Sequence, residues 1–219
     1  ISTHIPDRLR HILDLRFDAL PDSVLRLVRL VALERPTGSP SVTGAALGLD
    51  PLDTADLIDA ATASGAVAIA ADGSIGFPHE LIRAYFLDRL GAQASKVART
   101  ALLEAHVARD EMGAAARHAE VLGDDIAAER RFAVLVPAAR DALDEGATDD
   151  ARRWAHLALP LRPPDGPLTS DDIDRHLVLG TVLVSLGSFV QARPVLLRTA
   201  EAARDAGRWS VVADTVEGL

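Results

Sequence analysis

The apolar residues of this chain recur at helical spacing along most of its length, and the spacing changes to that of β-strands at one place. Two short apolar runs, residues 66–70 and 74–77, flank a turn that contains Asp72 and Gly73. An Asp-Gly pair predicts a two-residue hairpin turn, because both residue types tolerate the left-handed backbone that such turns need. The sequence therefore predicts a mainly α-helical fold with one small β-hairpin.

Four helical segments precede this hairpin and one follows it. We predict that they begin near Ile5, Pro21, Val42, Leu52 and Glu80. The apolar residues expected to contribute packing are Ile12, Leu15 and Phe17 in the first segment, and Val24, Leu27, Val28 and Val31 in the second. Three helices followed by a β-hairpin are typical of a winged helix, so residues 1–92 are predicted to form a winged-helix domain with a leading helix.

The composition supports a helical core. Aromatic residues make up only 4% of the chain, so the core must be built from aliphatic side chains, and Ala and Leu are among the residues that cost least in a helix. Cysteine is absent, which excludes disulfides and cysteine-ligated metals and fits a cytoplasmic location. No apolar run approaches the roughly 20 residues that span a bilayer, so no membrane partner is expected.

The second half of the sequence has only helical patterns. Three glycines each begin a short motif in which an alanine follows five residues later. The pairs are Gly123 with Ala128, Gly146 with Ala151, and Gly187 with Ala192. A small residue at a fixed place lets neighbouring helices pack closely, so residues 93–219 are predicted to form a tetratricopeptide-like superhelical arm. The repeats are irregular, and we expect the arm to be incomplete at its C-terminus.

Charge argues against DNA binding by the predicted winged helix. The chain has a formal net charge of −9. The segment 52–64, in the position of a recognition helix, contains Asp53, Asp56 and Asp59 and no Lys or Arg, and Asp72 lies at the tip of the hairpin. Because reading DNA requires neutralisation of phosphates, we expect no direct contact with nucleic acid.

The stretch FPHELIR, from Phe77 to Arg83, begins like a zinc-peptidase motif. That motif needs a second His four residues after the first, and the residue four positions after His79 is Arg83. We therefore predict no metal and no catalytic residue. His79 is expected at the start of a helix, where Glu80 complements the helix dipole and pairs with Arg83.

The same stretch carries a family resemblance. The pattern Phe77-x-His79-x-Leu81-Ile82-Arg83-x-x-Phe86, after a short hairpin, resembles the winged helix that follows the ATPase core of large bacterial LuxR-type regulators, which are signal-transduction (STAND) ATPases. Residues 116–119 and 138–151 are similar to the helical arm of that family. The resemblance covers Leu9 to about Leu159.

The resemblance implies a function. Such regulators combine an ATPase core, a winged helix, a sensor arm and often a DNA-binding domain. This chain has no Gly-rich phosphate loop, so we expect a non-catalytic fragment that couples its own ATPase domain, absent here, to an arm that binds a small-molecule inducer or a protein partner. ATP and ADP would act in the intact protein, with no cofactor in the fragment.

The resemblance also implies a role for the motif residues. His79 would contact the phosphate of ADP held by the ATPase domain, and Phe77, Glu80, Arg83 and Phe86 would form the structural motif around it. Pro78 departs from the pattern, since related proteins often carry Met there.

Other functions stay open at this point. One is a DNA-binding winged helix with a helical dimerisation tail. Another attaches the same arm to a cyclase or kinase effector, and a third is a metal-dependent hydrolase built on His79 and Glu80. A homo-oligomer is possible through an arm that ends with an exposed apolar face.

Overall fold

The computed structural model describes residues 5–35, 37–161 and 168–217, and within these ranges it is mainly α-helical with one small antiparallel sheet. The earlier elements are α1 Asp7–Phe17, α2 Asp22–Leu33, α3 Pro40–Leu47, α4 Pro51–Ala63, β1 Ala68–Ile69, β2 Ile75–Gly76, α5 Glu80–Asp88 and α6 Ala92–Val107. The later helices are α7 Met112–Leu122, α8 Ala128–Asp144, α9 Thr148–Ala158, α10 Ser170–Ser185, α11 Phe189–Asp205 and α12 Trp209–Glu217. The predicted fold class, helical with a small hairpin, is confirmed at this level.

The chain divides into two compact units, Ile1–Arg109 and Asp110–Leu219. The predicted division lay earlier, between residues 92 and 93. The difference concerns α6, which packs on α2 and α3 of the first unit. Leu102 and Ala105 of α6 form an aliphatic cluster with Leu30, Leu33 and Val42, so this helix shares its apolar contacts with the elements that precede it.

The core of the first unit surrounds α2. Its predicted apolar face, made by Val24, Leu27, Val28 and Val31, is buried.

The prediction for α1 was wrong at two of its three positions. Ile12 and Leu15 are 58% and 75% exposed, whereas Leu13 and Phe17 are buried. Residues four apart share a helix face, so Leu13 and Phe17 face the core together while Ile12 and Leu15 lie off that face.

The hairpin turn contains three residues, 71–73, and the predicted two-residue turn was wrong. Ile69 pairs with Ile75 across the sheet, and the amide of Ala70 donates to the carbonyl of Ser74 at 2.8 Å. The amide of Gly73 donates to the carbonyl of Ala70 at 2.9 Å, and Gly73 has a φ of +81°. A tight turn closed by one left-handed residue is the usual three-residue hairpin, and glycine takes that position without strain.

A single backbone bridge extends the sheet on its other side. Gly38, between α2 and α3, exchanges two hydrogen bonds with Ile75, each 2.8 Å long. Because Ile75 also pairs with Ile69, β2 lies between Gly38 and β1. The segment that precedes α3 is therefore held to the same strand as the hairpin.

Close backbone approach sets the distance between α3 and α4. Asp50 caps α4 by accepting hydrogen bonds from the amides of Leu52 and Asp53, and Pro51 occupies the first turn. A Cβ added at Gly44 of α3 would lie 2.3 Å from Oγ1 of the buried Thr54 on α4. Only glycine allows this spacing.

The second unit is a succession of helices, α7 to α12. Each packs on the next along the chain, and α10 also packs on α8 and α12. Left-handed residues stand at the turns before α7, α9 and α11, and in each case the alanine five residues later is buried. The pairs are Asp110 with Ala115, Gly146 with Ala151, and Gly187 with Ala192.

One of the three predicted glycine–alanine motifs was wrong. Ala128, five residues after Gly123, is exposed, because Gly123 opens a 3-10 turn over Gly123–Asp125 and Ala128 only begins α8 afterwards. The motif that matches the other two starts at Asp110, a non-glycine residue with a φ of +60°. The sequence does not reveal this left-handed position, because the residue is an aspartate and not a glycine.

We expect Gly44→Ala to destabilise the first unit by about 1–3 kcal/mol, because the new methyl group would overlap Thr54 and force the helices apart. Gly113→Ala in α7 is the matched control, since its Cβ would meet only the ring of Trp154 at 3.7 Å. Alanine favours a helix over glycine, so the control is expected to be neutral or stabilising. Urea unfolding followed by circular dichroism measures both, and an equal effect of the two variants would contradict the close approach at Gly44.

Candidate functional site

His79 is the N-cap residue of α5. Its backbone is extended, with φ −152° and ψ 138°, and its Nδ1 accepts a hydrogen bond from the amide of Leu81 at 3.1 Å. In a neutral imidazole this leaves the proton on Nε2. The ring is exposed, and Nε2 has no hydrogen-bond partner in the part of the chain that the structure describes. His79 therefore offers a donor to an outside group while its other nitrogen caps the helix.

Glu80 and Arg83 form the predicted ion pair one turn into α5. The Arg83 guanidinium lies 3.0 Å from the Glu80 carboxylate. Glu80 is exposed, whereas Arg83 is only 7% exposed. Burial lowers the pKa of Arg99 on α6, the charge of Arg83 lowers it further, and Glu34 opposes both. The positive charges of Arg83 and Arg99 therefore lie close together, and they offset the negative charge of Glu80.

Phe77 and Phe86 hold the start of α5 against the core. Their ring centroids are 6.1 Å apart, and Phe86 lies 5.2 Å from Phe17 of α1. The Tyr85 hydroxyl donates to Asp14 of α1 at 2.9 Å, and burial raises the pKa of Tyr85 to about 12. These contacts give the aromatic residues of the motif a structural role in the first unit.

Sequence reasoning missed a buried pair in the first unit. Nε2 of His106 on α6 lies 2.9 Å from a carboxylate oxygen of Glu34, which caps the end of α2, and both side chains are about 5% exposed. A hydrogen-bonded acid and imidazole can share a proton, so this pair contributes polar contacts inside an aliphatic cluster. The two residues are 72 positions apart, which leaves no local pattern to find them by.

Sequence reasoning also missed a groove in the first unit. A cavity of about 550 Å³ lies between α3, α4 and the hairpin. Its walls are mostly small or aliphatic, with two uncharged polar residues, Ser41 and Thr54, and two charged ones, Asp59 and Arg109. The other residues that line it include Ala45, Leu49, Ala55, Ile58 and Ile69. We call it the α3–α4 groove.

The second unit has a smaller concave site of about 320 Å³ near Trp154. Its lining is acidic, with one arginine, Arg117. The acidic residues are Asp110, Glu111, Asp141, Glu145 and Asp150. Burial raises the pKa of Asp141, and the neighbouring carboxylates of Asp110 and Glu145 raise it further. Negative charge is therefore concentrated on this surface.

None of the described helices is both long and apolar enough to cross a membrane. Comparison of the chain with protein-family models, with curated proteins and with solved structures finds no match.

The cap at His79 predicts different effects of two substitutions. His79→Ala removes the acceptor for the Leu81 amide and is expected to lower the free energy of unfolding by about 1 kcal/mol. His79→Asn keeps a side-chain acceptor at the N-cap and is expected to change it by no more than a few tenths of a kcal/mol. Thermal unfolding of the two variants and the parent tests this. If the asparagine variant lost as much stability as the alanine variant, the cap would not be the cause.

Proposed function

We propose that the first unit is a winged helix that mediates contacts between proteins. The support is its order of elements, in which α2, α3 and α4 precede the β1–β2 hairpin, and Gly38 between α2 and α3 pairs with β2. A winged helix has this order, with the central strand bridging to the segment before its second helix. The elements that would face DNA are acidic, since α4 and the hairpin together contain four Asp and neither Lys nor Arg, and Asp50 precedes α4 as its cap.

We further propose that the second unit is a tetratricopeptide-like arm. Its helices pack on their neighbours in sequence order, which suits a solenoid of helical pairs. Buried alanines recur five residues after left-handed turns at Asp110, Gly146 and Gly187. A solenoid presents an extended surface to a ligand, and in our proposal the acidic concave site near Trp154 is part of the surface that the ligand contacts.

Together these units act, in our proposal, as the non-catalytic regulatory part of an ATP-dependent LuxR-type transcriptional regulator. The winged helix couples the ATPase domain of that protein to the arm, which binds an inducer or a protein partner. The observation that carries the proposal is His79, which caps α5 through Nδ1 and keeps Nε2 exposed at a helix N-terminus. Such a position suits a phosphate, because both the ring N–H and the helix dipole favour negative charge.

The residues around His79 fit the ADP phosphate that this function requires. The nearest acid, Glu80, is paired with Arg83, so its charge is largely offset. Arg99 on α6 lies near enough to Arg83 for the charge of Arg83 to lower the pKa of Arg99, so a second cation accompanies this pair. When bound, ADP would supply the phosphate charge, and His79 would donate a hydrogen bond to it from Nε2.

The test uses the protein that carries the ATPase domain together with this chain. His79→Asn keeps the helix cap but removes the Nε2 donor, so we expect it to retain less ADP after purification than the parent. His11→Asn is the control, because His11 is an exposed histidine on α1. Bound nucleotide is released by denaturation and quantified by chromatography. If His79→Asn holds ADP as tightly as the parent and the control, the phosphate contact is contradicted.

The second candidate is a DNA-binding winged helix with a helical dimerisation tail, which the same order of elements favours. It predicts salt-sensitive binding of the 219-residue chain to duplex DNA. We expect a flat titration against a fluorescent duplex at low salt, because Asp53, Asp56 and Asp59 on α4 would repel the phosphates. A rise in anisotropy that disappears at high salt would favour the DNA-binding function over the regulatory one.

A further inference from the structure

We propose that the α3–α4 groove binds a basic amphipathic helix of a partner protein. The proposal stands on the shape and charge of the groove and does not depend on the ATPase function, so the two can fail separately.

The floor and walls of the groove suit aliphatic side chains. Ile58 forms part of the floor from α4, and Ile69 of β1 is 50% exposed above it. Ala45 on α3 and Ala55 on α4 are exposed and small, so the two helices form low walls that leave the cavity open. A cavity of about 550 Å³ with such a lining accepts several apolar side chains, as grooves that bind amphipathic helices do.

The length of the groove also matches a helix. The residues of α4 that line the groove run from Pro51 to Asp59, which corresponds to about 12 Å of helix axis. A partner helix that lies along α4 could place apolar residues at i, i+3 or i+4, and i+7 over the groove.

The charge around the groove determines the sign of the charge that a partner must carry. Residues 37–82 contain five Asp and one Glu and no Lys or Arg. Asp50, Asp53, Asp56 and Asp59 cap or lie on α4 and Asp72 lies at the hairpin tip, whereas the one Glu, Glu80, is paired with Arg83. Such a run of one sign creates a negative field over the surface, which attracts a cationic partner and repels nucleic acid and anionic lipid.

Two details keep this surface negative. The amide of Ser74 donates to the carboxylate of Asp72 at 2.9 Å, hydrogen bonding from Ser74 lowers the pKa of Asp72, and the hairpin tip is negatively charged. Arg109, the one cation of the groove lining, donates to the carbonyl of Ser41 at 2.7 Å and to that of Ala105 at 3.2 Å. Its guanidinium is held by these backbone acceptors, and among the described residues no ion pair joins it to Asp59.

The probe is an 18-residue fluorescein-labelled peptide with Leu on one helical face and Arg on the other. Its control has Glu in place of every Arg. Fluorescence anisotropy is measured as the 219-residue chain is titrated into each peptide at low and high salt. We expect the Arg peptide to bind and the Glu peptide not to bind, with affinity falling as salt screens the charges.

Matched variants of α4 locate the binding. Ala55→Arg fills the groove, and Ala60→Arg places the same charge at an exposed position of the same helix outside it. We expect Ala55→Arg to weaken binding of the Arg peptide by about tenfold or more, because it occupies the apolar site, and Ala60→Arg to weaken it by no more than about threefold. Ala45→Arg on the opposite wall is a second groove variant, and circular dichroism checks that each variant folds.

Several outcomes would overturn the proposal. They are equal binding of the Arg and Glu peptides, absence of binding by the Arg peptide, and equal weakening by Ala55→Arg and Ala60→Arg. Light scattering of the chain alone adds one more. If the chain self-associates and Ala55→Arg abolishes this association, the occupant is a second copy of the chain and not a basic helix of a partner.

Discussion

The burial of α2 is the interaction on which the first unit depends. Seven of its twelve residues are buried, and it contacts α3, α4, α5, α6 and β2. Leu27 and Val28 are fully enclosed, and burial of an aliphatic side chain of this size contributes about 1.5–3 kcal/mol. Because the elements that carry His79 and the α3–α4 groove both pack on this one helix, its aliphatic face sets the position of both sites.

Sequence patterns predicted the parts of the fold that depend on neighbours along the chain. The apolar face of α2, with Leu27 and Val28, follows from spacing alone. The turn at Gly73 was found but its length was not, because the pairing of Ile69 with Ile75 decides which residues remain in the loop. Ile75 also pairs with Gly38, and no local pattern reveals a bridge between residues so far apart.

The candidate sites show the same division between local and distant interactions. The position of His79 at the start of α5 and the pairing of Glu80 with Arg83 lie within one helical turn, so the sequence alone predicts them. Glu34 and His106 meet only because α2 and α6 pack together, and the groove forms only where α3, α4 and the hairpin come together, with Gly44 in its lining. The charge of that groove, in contrast, is already present in the sequence, since residues 37–82 contain no cation.

The two sites of the first unit are joined through the sheet. Ile69 lines the groove and pairs with Ile75, and Ile75 is fully buried and precedes His79 by four residues. A partner that displaces β1 must therefore also displace β2, or break the hydrogen bonds that join the strands. Phe77, between β2 and the cap, packs on Phe86 and would carry that movement into α5. In the proposed regulator, a partner helix in the groove would then alter the position of His79. Binding of the partner helix and binding of a phosphate at His79 would therefore be energetically linked.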